Sequence, residues 1–205
     1  MISMNRGGSE LIGFDEGALD SSIPARFQAV LAHLPEGQLA YHGPDGTLTY
    51  RELDERSTAL ALSLLEKLGS GAQGFQQAAV ALLLPHQASS LIGVLGVLKT
   101  GHFYVPLDPG LGAVYLGQIL ADCPPGVLVT TRPLLELAQQ LLPPDQAAPI
   151  LFIDNLPPPA RPALGEMVIP PRAFACVLAL SSAGSALFWL QPSTSYVLGD
   201  RKSVV

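Results

Sequence analysis

Charge is scarce in this 205-residue sequence: Asp, Glu, Lys and Arg together make up 14% of it. The 11 Lys and Arg are scattered and the formal net charge is −6. No basic stripe exists along which a phosphate backbone could lie, so no nucleic-acid partner is expected. Long apolar runs are missing too. The most apolar stretch, Ala78 to Leu98, is broken by Pro85, His86, Gln87, Ser89 and Ser90, and falls short of the ~20 continuous apolar residues that a membrane-spanning helix needs. The opening residues, MISMNRGGSELIGFDEG, lack the apolar centre of a secretory signal. No membrane association and a cytoplasmic location are therefore expected. Cysteine is limited to Cys123 and Cys176, each in an apolar context, which reads as two buried, reduced thiols and no metal site. His33, His42, His86 and His102 have no ligand spacing and read as surface or loop histidines. No G-x-S-x-G nucleophile elbow is present.

Apolar periodicity is what the sequence has in quantity. Hydrophobic residues make up 48% and the mean hydropathy is +0.35. Phe27, Val30, Leu31 and Leu34 recur at i, i+3, i+4, i+7, as do Leu91, Val94, Leu95 and Leu98. Leu116, Ile119, Leu120 and Cys123 fit the same template, and so do Leu134, Leu137, Ala138 and Leu141. Each set predicts a helix with one apolar stripe. A further helix starts at Thr49-Tyr50-Arg51-Glu52, a capping box, continues its stripe through Leu53, Leu60, Leu64 and Leu68, and stops at Gly69. Ser21 or Ser22, with Pro24 in the first turn, starts the first helix. The carboxylates Glu52, Asp54 and Glu55 read as first-turn residues favoured by the helix dipole, not as an acid–base dyad.

Between these helices lie short runs that are apolar on both faces: Ala78 to Leu84, GVLVTT from Gly126, ILFI from Ile150 and FACVLAL from Phe174. Such runs suit buried parallel strands, and their alternation with one-stripe helices predicts an α/β fold, a mainly parallel sheet flanked by helices. QLAYH and TLTY, joined by GPDG, read as a hairpin. Residues 155–172 are Pro-rich and read as a surface connection. The organisation expected is a flexible N-terminus over 1–20, an α/β subdomain over 21–154, that connection, and a strand over 173–178.

Three stretches carry a family resemblance. IPARFQAVLAHLPEGQLAYHGPDGTLTYRELDERSTALALSLL holds an LTYxEL-type motif at Thr49, Tyr50, Glu52 and Leu53. AVALLLPHQASSLIGVLGVLKTGHFYVPLDPG holds a second, at Lys99, Gly101, Tyr104, Val105, Pro106, Leu107, Asp108 and Pro109. DCPPGVLVTT follows. Together they resemble the N-terminal lobe of adenylate-forming (AMP-binding) enzymes, and YVPLDP is most similar to amino-acid adenylation domains of nonribosomal peptide synthetases. Acyl-CoA synthetases and acyl-AMP ligases are the alternative, and a non-catalytic α/β module binding a neighbouring synthetase domain is another. Both motifs read as scaffold. Gly101 can end a helix in the left-handed conformation, Tyr104 and Val105 give a short strand, Pro106 and Pro109 stiffen its exit, and Asp108 can hold a turn. His102 stands where the family favours a small residue, and GLGAVY replaces the family's Tyr-Pro and later Arg.

The resemblance implies the reaction carboxylate plus ATP giving acyl-AMP and pyrophosphate, with Mg²⁺ assisting. It also implies partners: the remainder of the adenylation domain and adjacent condensation or carrier domains. The family grips the triphosphate with a Ser/Thr/Gly-rich loop ending in Pro-Lys-Gly. After FACVL this sequence has ALSSAGSALFWLQP, where Ser181, Ser182, Gly184 and Ser185 form a degenerate version of that loop without the Pro-Lys-Gly step. Asp200 to Val205, DRKSVV, is what one frame of a common sequencing adapter encodes, so 179–205 is expected to be a non-native tail. The adenine-site aromatic, ribose-binding Asp and catalytic Lys that the family carries further on are not met. No catalytic residue or metal ligand is assigned, and the chain is expected not to catalyse adenylation by itself and to be marginally soluble.

Overall fold

The computed structural model describes residues 21–69, 77–142 and 148–157 with their side chains, and the backbone of strands at 176–180, 186–190 and 196–199. The N-terminal segment 1–20, most of the Pro-rich connection, and Ser181, Ser182, Gly184 and Ser185 lie outside the described residues.

Local chemistry starts each helix. Ser22 accepts a hydrogen bond from the Ala25 amide and Pro24 sits in the first turn of α1 (Ile23–Leu31). The chain then forms a hairpin of β1 (Leu39–Gly43) and β2 (Gly46–Thr49). Tyr41 reaches across Gly43 to Asp45 in the turn, and a Cβ at Gly43 would collide with the Tyr41 hydroxyl. Asp45 in turn accepts the Ala88 amide at 3.1 Å, which fastens the hairpin to the helix beginning there. α2 (Tyr50–Leu68) ends at Gly69, whose φ of 75° suits glycine.

β3 (Ala79–Leu83), α3 (Ala88–Lys99), β4 (Phe103–Leu107), α4 (Ala113–Asp122), β5 (Val127–Thr130), α5 (Leu135–Leu141) and β6 (Ile150–Phe152) then alternate. β7 (Cys176–Leu180), β8 (Ala186–Leu190) and β9 (Tyr196–Gly199) follow. The strands lie in the order β6-β5-β3-β4-β7-β8-β9. β6 to β7 are parallel, and β8 and β9 add on as an antiparallel meander.

Chain order explains the layers. From β3 the chain steps to β4 on one side, and from β4 it steps back over β3 to β5. Right-handed crossovers therefore put α3 and α4 on opposite faces. On one face Leu60 and Leu64 of α2 and Val97 of α3 cover Val80, Leu82 and Val129. On the other, Leu116, Ile119 and Leu120 of α4, with Ala138 and Leu141 of α5, cover Ala81, Leu83, Val105 and Leu128. A smaller cluster, Leu48, Leu53, Ile92 and Leu95, joins the hairpin to α2 and α3. α3 lies against both the sheet and α2 because two of its positions have no side chain. A Cβ at Gly93 would stand 2.8 Å from Leu84, and one at Gly96 would stand 2.7 Å from Leu60.

Several sequence-based expectations are corrected. His102 is no surface histidine: it is 2% exposed. The Phe27, Val30, Leu31, Leu34 stripe is only half-buried because α1 rests on the flank of α3 and not on the sheet. Leu91 opens its stripe at 41% exposure and Cys123 is half-buried. Pro106 lies inside β4, not at its exit. It is opposite Leu82 of β3 and is exposed, although β4 lies between β3 and β7.

Candidate functional site

Both halves of the first motif act on α2. The Thr49 hydroxyl accepts the Glu52 amide at 3.1 Å, and a Glu52 carboxylate oxygen accepts the Thr49 amide at 2.8 Å. That amide, followed by the Thr49 hydroxyl, holds the Glu52 carboxyl below its ordinary range. Tyr50 stacks on Phe27 with ring centroids 6.0 Å apart, and Leu53 is buried.

Lys99 turns inward from the last turn of α3 and is 5% exposed. Its ammonium donates to Asp54 Oδ1 (2.7 Å), Ser57 Oγ (2.9 Å), Thr58 Oγ1 (2.8 Å) and the Asp54 carbonyl (3.0 Å). The Phe27 ring lies 5.9 Å away. Burial pulls the Lys99 pKa below that of a free lysine, and the hydrogen bond to Asp54 opposes the shift. Gln28 of α1 also donates to Asp54. One polar knot thus joins α1, α2 and α3. Asp54 is an ion-pair partner, not merely a carboxylate favoured by its place in the first turns. The signal for the knot was Ser57, a hydroxyl sitting within the apolar stripe of α2.

Gly101, with φ 78°, follows the α3 cap. Beyond it Val105 and Leu107 are buried, Tyr104 is half-buried and Pro106 is exposed. Asp108 accepts the Gly110 amide at 2.8 Å and so holds the turn that contains Pro109 before α4.

The topology singles out one edge. β3 leaves the sheet towards α3 on one face and β4 leaves towards α4 on the other, so a crevice opens between their carboxyl ends, where open α/β sheets bind ligands. Pro85 and His86 follow β3, and Asp108 and Pro109 follow β4. At the neighbouring end of β5, the buried Thr130 hydroxyl donates to the Leu83 carbonyl at 3.0 Å. The Arg132 amide donates to Asp154 at 3.1 Å, and its guanidinium lies 5.5 Å over the Phe152 ring. β7 is parallel to β4, so its end at Leu180 lies at this same edge; residues 181–185 lie outside those described.

Among the described residues no three His, Cys, Asp or Glu gather as metal ligands, and burial, with the Asp122 charge, raises the pKa of the Cys123 thiol. Thr49, Tyr50, Glu52, Leu53, Lys99 and Gly101 are spread over the hairpin and helix junctions. Only Asp108 and Pro109 of the quoted motifs reach the crevice.

Residues 27–192 match the family described as AMP-binding enzyme, and the chain belongs to that family. Within it, the chain corresponds to the N-terminal part of a nonribosomal peptide synthetase adenylation domain. It is 41% identical over 128 residues to the dimodular nonribosomal peptide synthase of Bacillus subtilis, covering 62% of this chain and 5% of that protein. It is 37% identical over 128 residues to surfactin synthase subunit 3 of the same organism, covering 62% of this chain and 9% of that protein. The chain thus spans a small part of the curated relatives it matches.

Solved structures share the fold. The N-terminal subdomain of Klebsiella oxytoca NpsA, in complex with 3-hydroxybenzoyl-AMSN, superposes with a TM-score of 0.66 at 20% identity, over 86% of this chain and 43% of that one. The nonribosomal peptide synthetase FmoA3, in an α-methyl-L-serine-AMP bound form, gives 0.69 at 20% identity, over 84% of this chain and 18% of that one.

Proposed function

We propose that this chain is the framework lobe of an amino-acid-activating domain. The parent reaction is attack of an amino-acid carboxylate on the α-phosphate of ATP, giving aminoacyl-AMP and pyrophosphate. The observation that carries the reading is the 41% identity over 128 residues to a nonribosomal peptide synthase, together with the AMP-binding family match over residues 27–192. In this reading Ser181, Ser182, Gly184 and Ser185 occupy the place of the phosphate loop, where backbone amides and hydroxyls would face the triphosphate. Mg²⁺ arrives with ATP as part of the substrate, and no residue of this chain is assigned to it.

The stretch from Ser181 onward lacks the family's Pro-Lys-Gly step, so the 205-residue chain is proposed to be inactive in isolation. Its partners are the rest of the adenylation domain and the adjacent condensation or carrier domains, in the cytoplasm. No helix among the described residues is long and apolar enough to cross a membrane. The proposal extends to 1–20 as a flexible leader, to 155–172 as the connection between β6 and β7, and to 179–205 as a non-native tail. The family match that continues to residue 192 stands against that last part, and the source DNA decides it: an uninterrupted genomic frame encoding Ala179 to Val205 removes it.

The function is tested by pyrophosphate exchange on the domain that the genomic sequence encodes from this lobe onward. Exchange that answers to one or a few amino acids supports the reading. Exchange that answers only to fatty or aryl acids transfers the lobe to the acyl-ligase branch.

A further inference from the structure

His102 is the one buried titratable ring among the described residues that no catalytic reading uses. It begins the approach to β4 at the amino end of the sheet, far from the ligand-binding edge. Its two nitrogens have opposite duties. Nδ1 accepts the Ala78 amide at 3.1 Å, just before β3, so it carries no proton. Nε2 lies 3.1 Å from the Gly69 carbonyl, an acceptor only, so it carries the ring hydrogen and donates it. Gly69 caps α2 and Ala78 precedes β3; the ring therefore bridges the two ends of the connection formed by residues 70–76. Beside it Gln77 donates to the Gly101 carbonyl at 2.6 Å, which completes the closure.

We propose that His102 is a proton-operated clasp. The neutral ring holds the end of α2 to the beginning of β3, and protonation at Nδ1 removes the acceptor from the Ala78 amide and opens the clasp. The proton comes from solvent and occupies the lone pair that the amide was using, so a buried N–H and a buried N–H⁺ are left facing each other. The clasp does not rest on the adenylation reading.

Both ring nitrogens meet backbone groups, the Ala78 amide and the Gly69 carbonyl. On α2 the nearby charges are Glu66 and Lys67, both exposed; α3 contributes Lys99, which Asp54 engages; β4 contributes Tyr104; α4 ends in Asp122, next to Cys123. Burial lowers the His102 pKa below its ordinary 6.5, and only the Gly69 carbonyl opposes it. The sign follows. The clasp is fully effective above about pH 6.5, the open-state value, and loses stability as pH falls towards the lower closed-state pKa. Over that window the open population rises by about tenfold per pH unit.

The test uses the ¹⁵N-labelled full chain. Ring ¹⁵N shifts are expected to show the Nε2–H tautomer at pH 7.5 and a His102 midpoint below 6.5. Exchange of the Ala78 amide, corrected for its intrinsic pH dependence, is expected to accelerate by about tenfold per pH unit between pH 6.5 and that midpoint, and to level off below it. In His102→Gln, whose amide can accept and donate without titrating, the Ala78 dependence is expected to flatten. A midpoint at or above 6.5, an Nδ1–H tautomer, or an Ala78 pH dependence unchanged in His102→Gln overturns the proposal. The wild-type tautomer and midpoint suffice for that decision if the variant does not fold.

Discussion

Replacing Lys99 by Met is the perturbation that bears most directly on how this lobe is held together. The methionine keeps most of the side-chain volume and removes the ammonium at the centre of the α1–α2–α3 knot. Four acceptors then lose a donor: the Asp54 carboxylate, the Asp54 carbonyl, and the hydroxyls of Ser57 and Thr58. Breaking one side of a buried ion pair costs about 3–5 kcal/mol. Asp54 keeps 25% of its side-chain surface exposed and retains Gln28 as a donor, which reduces the expected cost to about 2–3 kcal/mol. For a chain of this size that corresponds to a fall in Tm of roughly 4–12 °C.

Chemical denaturation of Lys99→Met, Asp54→Asn and the double variant supplies the assay. A coupling energy of about 1–2 kcal/mol between the two positions is expected. Two outcomes would refute the reasoning. One is a Lys99→Met midpoint shifted by less than about 0.5 kcal/mol, and the other is a coupling indistinguishable from zero.

Two glycines set a second test. Gly96→Ala puts a methyl group against Leu60 and is expected to cost about 1–3 kcal/mol, whereas Gly117→Ala, with nothing within 4 Å of its added carbon, is expected to stabilise α4 by about 0.5–1 kcal/mol. Equal effects in thermal melts would show that α3 does not depend on that close approach. Thr49→Ala should cost about 1 kcal/mol by removing the cap of α2, read by denaturant titration. Because the Thr49 amide lowers the Glu52 pKa, that carboxylate supports the fold above its ordinary pKa of 4.5, and the support disappears as pH falls through the lowered value. Glu52→Gln is expected to remove this acid limb while leaving the neutral-pH melt cooperative.

Much of this fold can be read from residues that are neighbours in sequence. The α2 cap needs only Thr49 and Glu52, three positions apart, and the alternation of two-faced apolar runs with striped helices already implies a parallel sheet. Ala79–Leu83 is buried throughout, as its composition demands. What escaped depends on distant partners. The meaning of Asp54 depends on Lys99, 45 residues away. His102 is held by partners at Gly69 and Ala78, 33 and 24 residues away, which its neighbours in sequence do not reveal. That Pro106 lies inside β4, and not after it, follows from the pairing of β4 with β3 across Ala79–Leu83, a fact of topology. The candidate site is legible in part for a related reason. Family motifs label the framework, while the crevice is created by the order of strands, and the residues from Ser181 to Ser185 that would complete it are not among those described.

The most direct measurement is ATP–pyrophosphate exchange by the 205-residue chain with a panel of amino acids. The account predicts no amino-acid-dependent exchange above the protein-free blank, because the sequence after β7 lacks the Pro-Lys-Gly step with which the family grips the triphosphate. Robust exchange that depends on a particular amino acid would contradict it.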